Sequence, residues 1–235
     1  MTQPAAPEIV DRLRHATTVV ERLKALRPTR IDPASFSTRA KIPYKVTDLI
    51  GGLTYRVVEL SEAALNAFSV SYPAAAIVLT RAALETTAAL WYIARKIEAV
   101  IAEGEIGDLD DVLMRMLLGF RARAEDWKMP SAINVLKFVD KINEEVPGFR
   151  SQYEDLSEFA HPNWSGTGYL YSKPDTKNLW TDYGPDVADL DVPYHLGSTA
   201  LKITVVTFEH FLRRVDEFMP KLTELAERDL DASGR

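Results

Sequence analysis

The sequence lacks cysteine altogether and has few histidines: none of its 235 residues is Cys and only four are His. The absence of cysteine excludes disulfide bonds, thiolate nucleophiles and cysteine-ligated zinc within these residues. The histidines, at positions 15, 161, 195 and 210, have no HExxH-type spacing. We therefore expect no metal and no cofactor. The sequence also has no P-loop, no GxGxxG and no GxSxG, the motifs of nucleotide-binding and serine-hydrolase folds.

Positive charge is in slight deficit, with 28 Lys and Arg against 34 Asp and Glu and a net charge of -6. Such a balance lacks the basic surface of a general nucleic-acid binder, although a local basic groove is compatible with it. The residues begin without a basic segment followed by an apolar one, so the sequence shows no signal peptide. The most apolar run, 73–94, carries Arg81 and Glu85 near its middle, where a membrane would penalise charge. We predict a buried helix there and a cytoplasmic protein.

Hydrophobic periodicity predicts an all-α bundle of five to seven helices, with a small irregular or β-hairpin excursion before the last helix. We expect a single helical domain over 1–235, with an N-terminal helix and a proline-containing arm over 1–43 and the bundle core over 44–230. The predicted helices cover 8–26, about 46–68, about 73–102, 108–123, 131–145, 149–160 and 194–230. The predicted hairpin strands are 168–172 and 178–183.

Two places in this pattern carry residues suited to chemistry. Arg81 and Glu85 are an i,i+4 pair and the only charges between 73 and 94, so each needs a polar partner. The second place is the segment YEDLSEFAHPNW, in which His161 ends a predicted helix and shares a face with Ser157. Glu158 and Glu154 extend the same face. Histidine is the side chain best suited to proton transfer near neutral pH.

Each of these features has two interpretations. Arg81 and Glu85 form either a structural pair, in the bundle or at a dimer seam, or a phosphate clamp with a residue that orients a histidine. His161 is either a helix-end residue or an acid–base group. A loop rich in aromatic residues follows it, and could either cover the core or stack a flat ligand. Its candidate ligand-binding residues are Trp164, Tyr169, Tyr171 and Trp180.

The helix TRAALETTAALWYI, followed by LSEFAHPNW and a Gly/aromatic excursion, resembles the HEPN superfamily (higher eukaryotes and prokaryotes nucleotide-binding), in its poorly characterised bacterial branch. The resemblance covers about 45–215. It implies a helical bundle that forms a homodimer. It also implies an antiviral defence or toxin–antitoxin setting, and metal-independent endoribonuclease activity on RNA. His161 matches the histidine of the family's motif, which handles protons.

The arginine of the HEPN motif, separated from the histidine by four to six residues, has no counterpart in this chain. Those positions hold Glu154, Asp155 and Leu156. Two hypotheses follow. In the first, Arg81 holds the phosphate, and Arg81, Glu85, Ser157 and His161 form a catalytic site that cleaves RNA. In the second, the protein is a non-catalytic interaction or regulatory module that binds a partner protein, and His161 hydrogen-bonds to the Arg81–Glu85 pair. A third hypothesis is a small-ligand pocket, for instance for a nucleotide, walled by the aromatic loop.

Overall fold

The structure, a computed structural model, describes residues 6–120, 128–184, 187 and 189–233. Within them the fold is all-α with one small hairpin, as the sequence predicts. The helices are α1 (Pro7–Ala25), α2 (Ile42–Ser69), α3 (Pro73–Glu103), α4 (Leu109–Leu118), α5 (Val135–Ile142), α6 (Phe149–Ala160), α7 (Gly168–Tyr171) and α8 (Asp191–Ser233). A 3₁₀ turn, Pro33–Ser35, lies between α1 and α2. Strands β1 (Ser172–Asp175) and β2 (Trp180–Tyr183) form an antiparallel pair in which Ser172 faces Tyr183.

The centre of the bundle is α3, which contacts α2, α8, α5 and α6. Its length and mean hydropathy of 1.2 would suit a membrane span, yet 56% of its most apolar window is buried inside the protein. Ile77, Leu84, Leu90 and Ile93 are completely buried there. The apolar run at 73–94 therefore belongs to a core helix.

Helix α1 packs on α2 and α8, so the N-terminal helix is part of the bundle. Ala16, Val19 and Leu23 are completely buried in that contact. The Arg22 guanidinium adds two hydrogen bonds of 2.7 Å to the carboxylate of Glu209 on α8. These hydrogen bonds hold the pKa of Glu209 below its ordinary value.

Several predicted boundaries were wrong, among them those of the last helix, which was predicted over 194–230 and spans Asp191–Ser233, and of the second strand, which was predicted over 178–183 and spans Trp180–Tyr183. The helix predicted over 108–123 ends at Leu118, because Gly119 is extended (φ -70°, ψ 132°); positions 121–123 lie outside the described residues. The helix predicted over 131–145 spans only Val135–Ile142. It begins after Asn134, whose side chain caps it by accepting a hydrogen bond from the Leu136 amide. In the segment predicted as the first strand, 168–172, the first four residues form the helical turn α7, and β1 starts at Ser172.

Candidate functional site

Arg81 and Glu85 lie on the face of α3 that meets α6. Their side chains form an ion pair, with 3.3 Å between Nη2 of Arg81 and Oε1 of Glu85. Both are half-buried, the arginine 30% and the glutamate 23% exposed. Each of these charges needs a polar partner in its apolar surroundings, and here each is the partner of the other.

The other partners come from α6. Arg81 Nε donates a hydrogen bond of 2.8 Å to Ser157 Oγ, and Arg81 Nη2 donates to the hydroxyl of Tyr153. That hydroxyl in turn donates to Glu85 Oε1 at 3.2 Å. The guanidinium carbon also lies 4.6 Å from the centre of the Tyr153 ring, in cation–π geometry. We refer to Arg81, Glu85, Tyr153 and Ser157 as the α3–α6 cluster.

The spacing of residues along the two helices explains this arrangement. Tyr153 and Ser157 are four residues apart on α6, as Arg81 and Glu85 are on α3, so each pair shares one helix face. The helices run antiparallel, because Glu85 meets Tyr153 and Arg81 meets Ser157. Ser157 Oγ also donates a hydrogen bond of 2.7 Å to the backbone carbonyl of Tyr153. The Ser157 hydroxyl therefore donates one hydrogen bond and accepts another.

His161 lies one helical turn beyond Ser157 but outside the α3–α6 cluster. Helix α6 ends at Ala160, and His161 takes an extended conformation (φ -83°, ψ 149°), which the following Pro162 favours. The residue is exposed. Within the part of the chain that the structure describes, its ring makes no hydrogen bond and no ion pair. The hydrogen bond from His161 to the Arg81–Glu85 pair, expected for an interaction module, is therefore wrong; Tyr153 and Ser157 make that contact.

Tyr153 is the member of the cluster that the sequence analysis missed. Burial is the largest cause that raises the pKa of its hydroxyl, and the neighbouring Glu85 carboxylate raises it further. The hydroxyl thus stays protonated and able to donate at neutral pH. Its position four residues before Ser157 was the available signal. Glu154, which the sequence analysis placed on this face, instead accepts a hydrogen bond of 2.8 Å from Arg150.

The four aromatic candidates do not share one environment. Trp164, Tyr171 and Trp180 are exposed, by 60%, 42% and 58%. Tyr169 is half-buried and packs edge-on against Phe159, with ring centres 5.9 Å apart. Two clefts of about 460 and 340 Å³ lie elsewhere, one beside the start of α2 and the end of α8, the other between residues 28–31 and α2. None of the four aromatic residues lines either cleft.

A second polar network, also missed from sequence, joins α3, α8 and the turn before α6. The Glu145 carboxylate accepts hydrogen bonds from Trp91 Nε1 at 2.7 Å and from Arg95 Nε at 2.6 Å, and Arg214 lies 3.8 Å away. Burial is the largest single influence on Glu145 and disfavours its charge, but the hydrogen bonds from Arg95 and Trp91 outweigh it. The pKa of Glu145 is therefore lowered.

Among the described residues, no group of three or more His, Asp or Glu side chains is placed to hold a metal ion. Comparison of the chain with family models, curated proteins and solved structures gives no match. The HEPN resemblance therefore rests on the sequence motifs alone.

Proposed function

We propose that this HEPN-like helical protein is a cytoplasmic interaction module, and that the α3–α6 cluster is a structural clamp. The observation that carries this proposal is that hydrogen-bond donors of Arg81 are already engaged by side chains of the protein. Its Nε and Nη2 donate to Ser157 and Tyr153, and Glu85 pairs with its charge. A guanidinium that holds a scissile phosphate needs donors directed at the phosphate oxygens, whereas here two of its three nitrogens are bound to neighbouring side chains.

The position of His161 also supports the proposal. A general acid or base acts on a proton within hydrogen-bond reach, and its ring is commonly oriented by another group. The exposed imidazole of His161 has no such partner among the described residues. The acidic Glu154 and Asp155 stand where the HEPN motif has its arginine.

A second candidate function is the metal-independent endoribonuclease of a defence or toxin-like system. The observation that favours it is that His161 follows Ser157 by one helical turn and is open to solvent, while Arg81 is still 30% exposed. In this mechanism His161 moves the proton and Arg81 steadies the phosphate, with Glu85 and Ser157 holding the arginine.

An RNA cleavage assay on the wild type and on histidine and arginine variants separates the two functions. For an interaction module we expect no RNA cleavage above background by the wild type. We also expect a melting temperature of His161→Ala within about 1 °C of wild type, because the ring has no hydrogen-bond partner among the described residues. The assay is incubation of a labelled RNA with the wild type, His161→Ala and Arg81→Ala. His210→Ala, an exposed histidine on α8, is the matched control. RNA cleavage that is lost in His161→Ala and Arg81→Ala, but kept in His210→Ala, would overturn the proposal in favour of the ribonuclease.

A further inference from the structure

The β1–β2 hairpin buries little of itself against the bundle. All four residues of β2 are exposed, so neither face of that strand is covered. Leu179, just before the strand, is 89% exposed and Tyr183 is 77% exposed. An isolated two-stranded hairpin is marginally stable in water, and a third strand or packing against a helix stabilises it.

The hairpin is held in shape by its own turn. Asp175 accepts hydrogen bonds of 2.9 Å from the backbone amides of Lys177 and Asn178, and one of 2.8 Å from the Asn178 side chain. The amide of Leu179 donates to the carbonyl of Asp175, and that of Gly184 to the carbonyl of Tyr171, so both ends of the ladder are closed. The edges of the hairpin are therefore preorganised to pair with another strand.

The two edges of the hairpin differ in what they can accept. The sheet of the described residues has two strands only, so the outer edge of each is unpaired. Strand β1 contains Pro174, which has no amide hydrogen, and Lys173; proline and lysine are the residues that protect strand edges from pairing. Strand β2 reads Trp-Thr-Asp-Tyr, with no proline and with three residues that favour strands. A third strand can thus add beside β2.

The charge of the hairpin and the length of the β2 edge indicate what kind of molecule would supply a third strand. Residues 172–183 hold two lysines and two aspartates, and Lys173 faces Asp182 in the register, so the hairpin has no net positive charge to attract phosphates. The edge of β2 is four residues, or about 13 Å, long. By itself, an edge of that length buries far less than the roughly 1,600 Å² of a stable interface between two folded chains. A short extended peptide matches both properties.

We propose that the outer edge of β2 is a docking site for an extended peptide segment of a partner protein, which adds as a third strand. Trp180 and Tyr183 are three residues apart and point to opposite faces of the strand. The peptide therefore carries two apolar residues three positions apart, one beside each aromatic ring. This inference rests on the proposed function, because it names the kind of partner that the module binds.

The test is selection of a random 12-residue peptide library displayed on phage against the full chain, followed by fluorescence polarisation with the enriched peptides. We expect enriched peptides to carry apolar residues three apart. Their affinity should fall at least 10-fold in Thr181→Pro, which removes an edge amide, and in Trp180→Ala. Trp164→Ala removes an equally exposed tryptophan outside the strands and should change affinity less than 2-fold.

Three results would overturn this inference. The first is a library that yields no peptide, or only peptides that bind Thr181→Pro and Trp180→Ala as well as wild type. The second is a wild-type dimer in sedimentation that Thr181→Pro dissociates, which would give the edge to a second copy. The third is a single-stranded 12-nucleotide RNA that binds the wild type and not Trp180→Ala. None of these results depends on Arg81 or His161. A failure of the peptide-docking inference is therefore distinguishable from a failure of the proposed function, which RNA cleavage dependent on His161 and Arg81 would show.

Discussion

Replacing Arg81 with methionine lowers the free energy of unfolding by about 2–3 kcal/mol, a loss of about 5–10 °C in melting temperature for a chain of this size. Methionine keeps an unbranched apolar side chain on α3 but removes the charge, the hydrogen-bond donors and the cation–π contact with the Tyr153 ring. Glu85 then remains half-buried without its cation, and Ser157 loses the Arg81 hydrogen bond. The expected loss of stability is smaller than for a fully buried ion pair, because 30% of the arginine side chain is exposed.

Thermal or urea denaturation of Arg81→Met, followed by circular dichroism, measures this loss. Arg14→Met is the matched control, because Arg14 pairs with Asp11 on α1 but is 70% exposed, and surface pairs contribute little. Arg81→Lys should recover only part of the stability, since an ammonium group cannot reach Ser157 and Tyr153 in the same fork geometry. A melting temperature of Arg81→Met equal to that of Arg14→Met would contradict a structural role for the α3–α6 cluster.

Replacing Glu145 with alanine lowers the free energy of unfolding by about 2 kcal/mol at neutral pH, because the charged hydrogen bonds from Arg95 and Trp91 to it are lost. The expected fall in melting temperature is about 4–8 °C. The loss of stability in Glu145→Ala depends on pH. Because the folded pKa of Glu145 lies below its unfolded value, its stabilisation is fully present above about pH 4.3 and is lost as the pH falls through the lower, folded pKa.

Melting temperatures of wild type and Glu145→Ala at pH 7, 5, 4 and 3 test this prediction. The difference between the two proteins should be constant from pH 7 to 5 and should shrink between pH 4 and 3. Glu224→Ala on α8, for which the structure gives no ion pair among the described residues, is the control and should change little at any pH. A difference that stays the same at pH 3 would show that the Glu145 carboxylate stabilises the fold through packing and not through its charge.

Local signals in the sequence were sufficient for the fold class and for the helix that carries half of the cluster. Helix α6 has the predicted bounds, 149–160, because Gly148 precedes it and a histidine–proline pair follows it. The same signals predicted α3 to within a residue or two. They failed at β1, because 168–171 has an aromatic residue at every second position, as a strand would, but closes into the helical turn α7.

The site was only partly predictable, because its composition depends on the pairing of two helices distant in sequence. Arg81, Glu85 and Ser157 could be selected from charge, apolar surroundings and spacing. The sequence alone does not show whether Tyr153 or Glu154 contacts Arg81, because it does not show which face of α6 meets α3. In the folded protein the face with Tyr153 meets α3, and Tyr153 bonds Arg81 and Glu85. His161 was linked to Ser157 by helical spacing, but the helix ends one residue earlier.

The most direct test of the structural clamp is a double-mutant cycle between Arg81→Met and Tyr153→Phe, measured by urea denaturation. Tyr153→Phe keeps the ring and removes only the hydroxyl that links Arg81 to Glu85. A clamp predicts that the double variant is more stable than the sum of the single losses implies, with a coupling of about 1 kcal/mol. Losses that add within about 0.3 kcal/mol would contradict the account, because they would mean that Arg81 and Tyr153 contribute independently to the stability of the bundle.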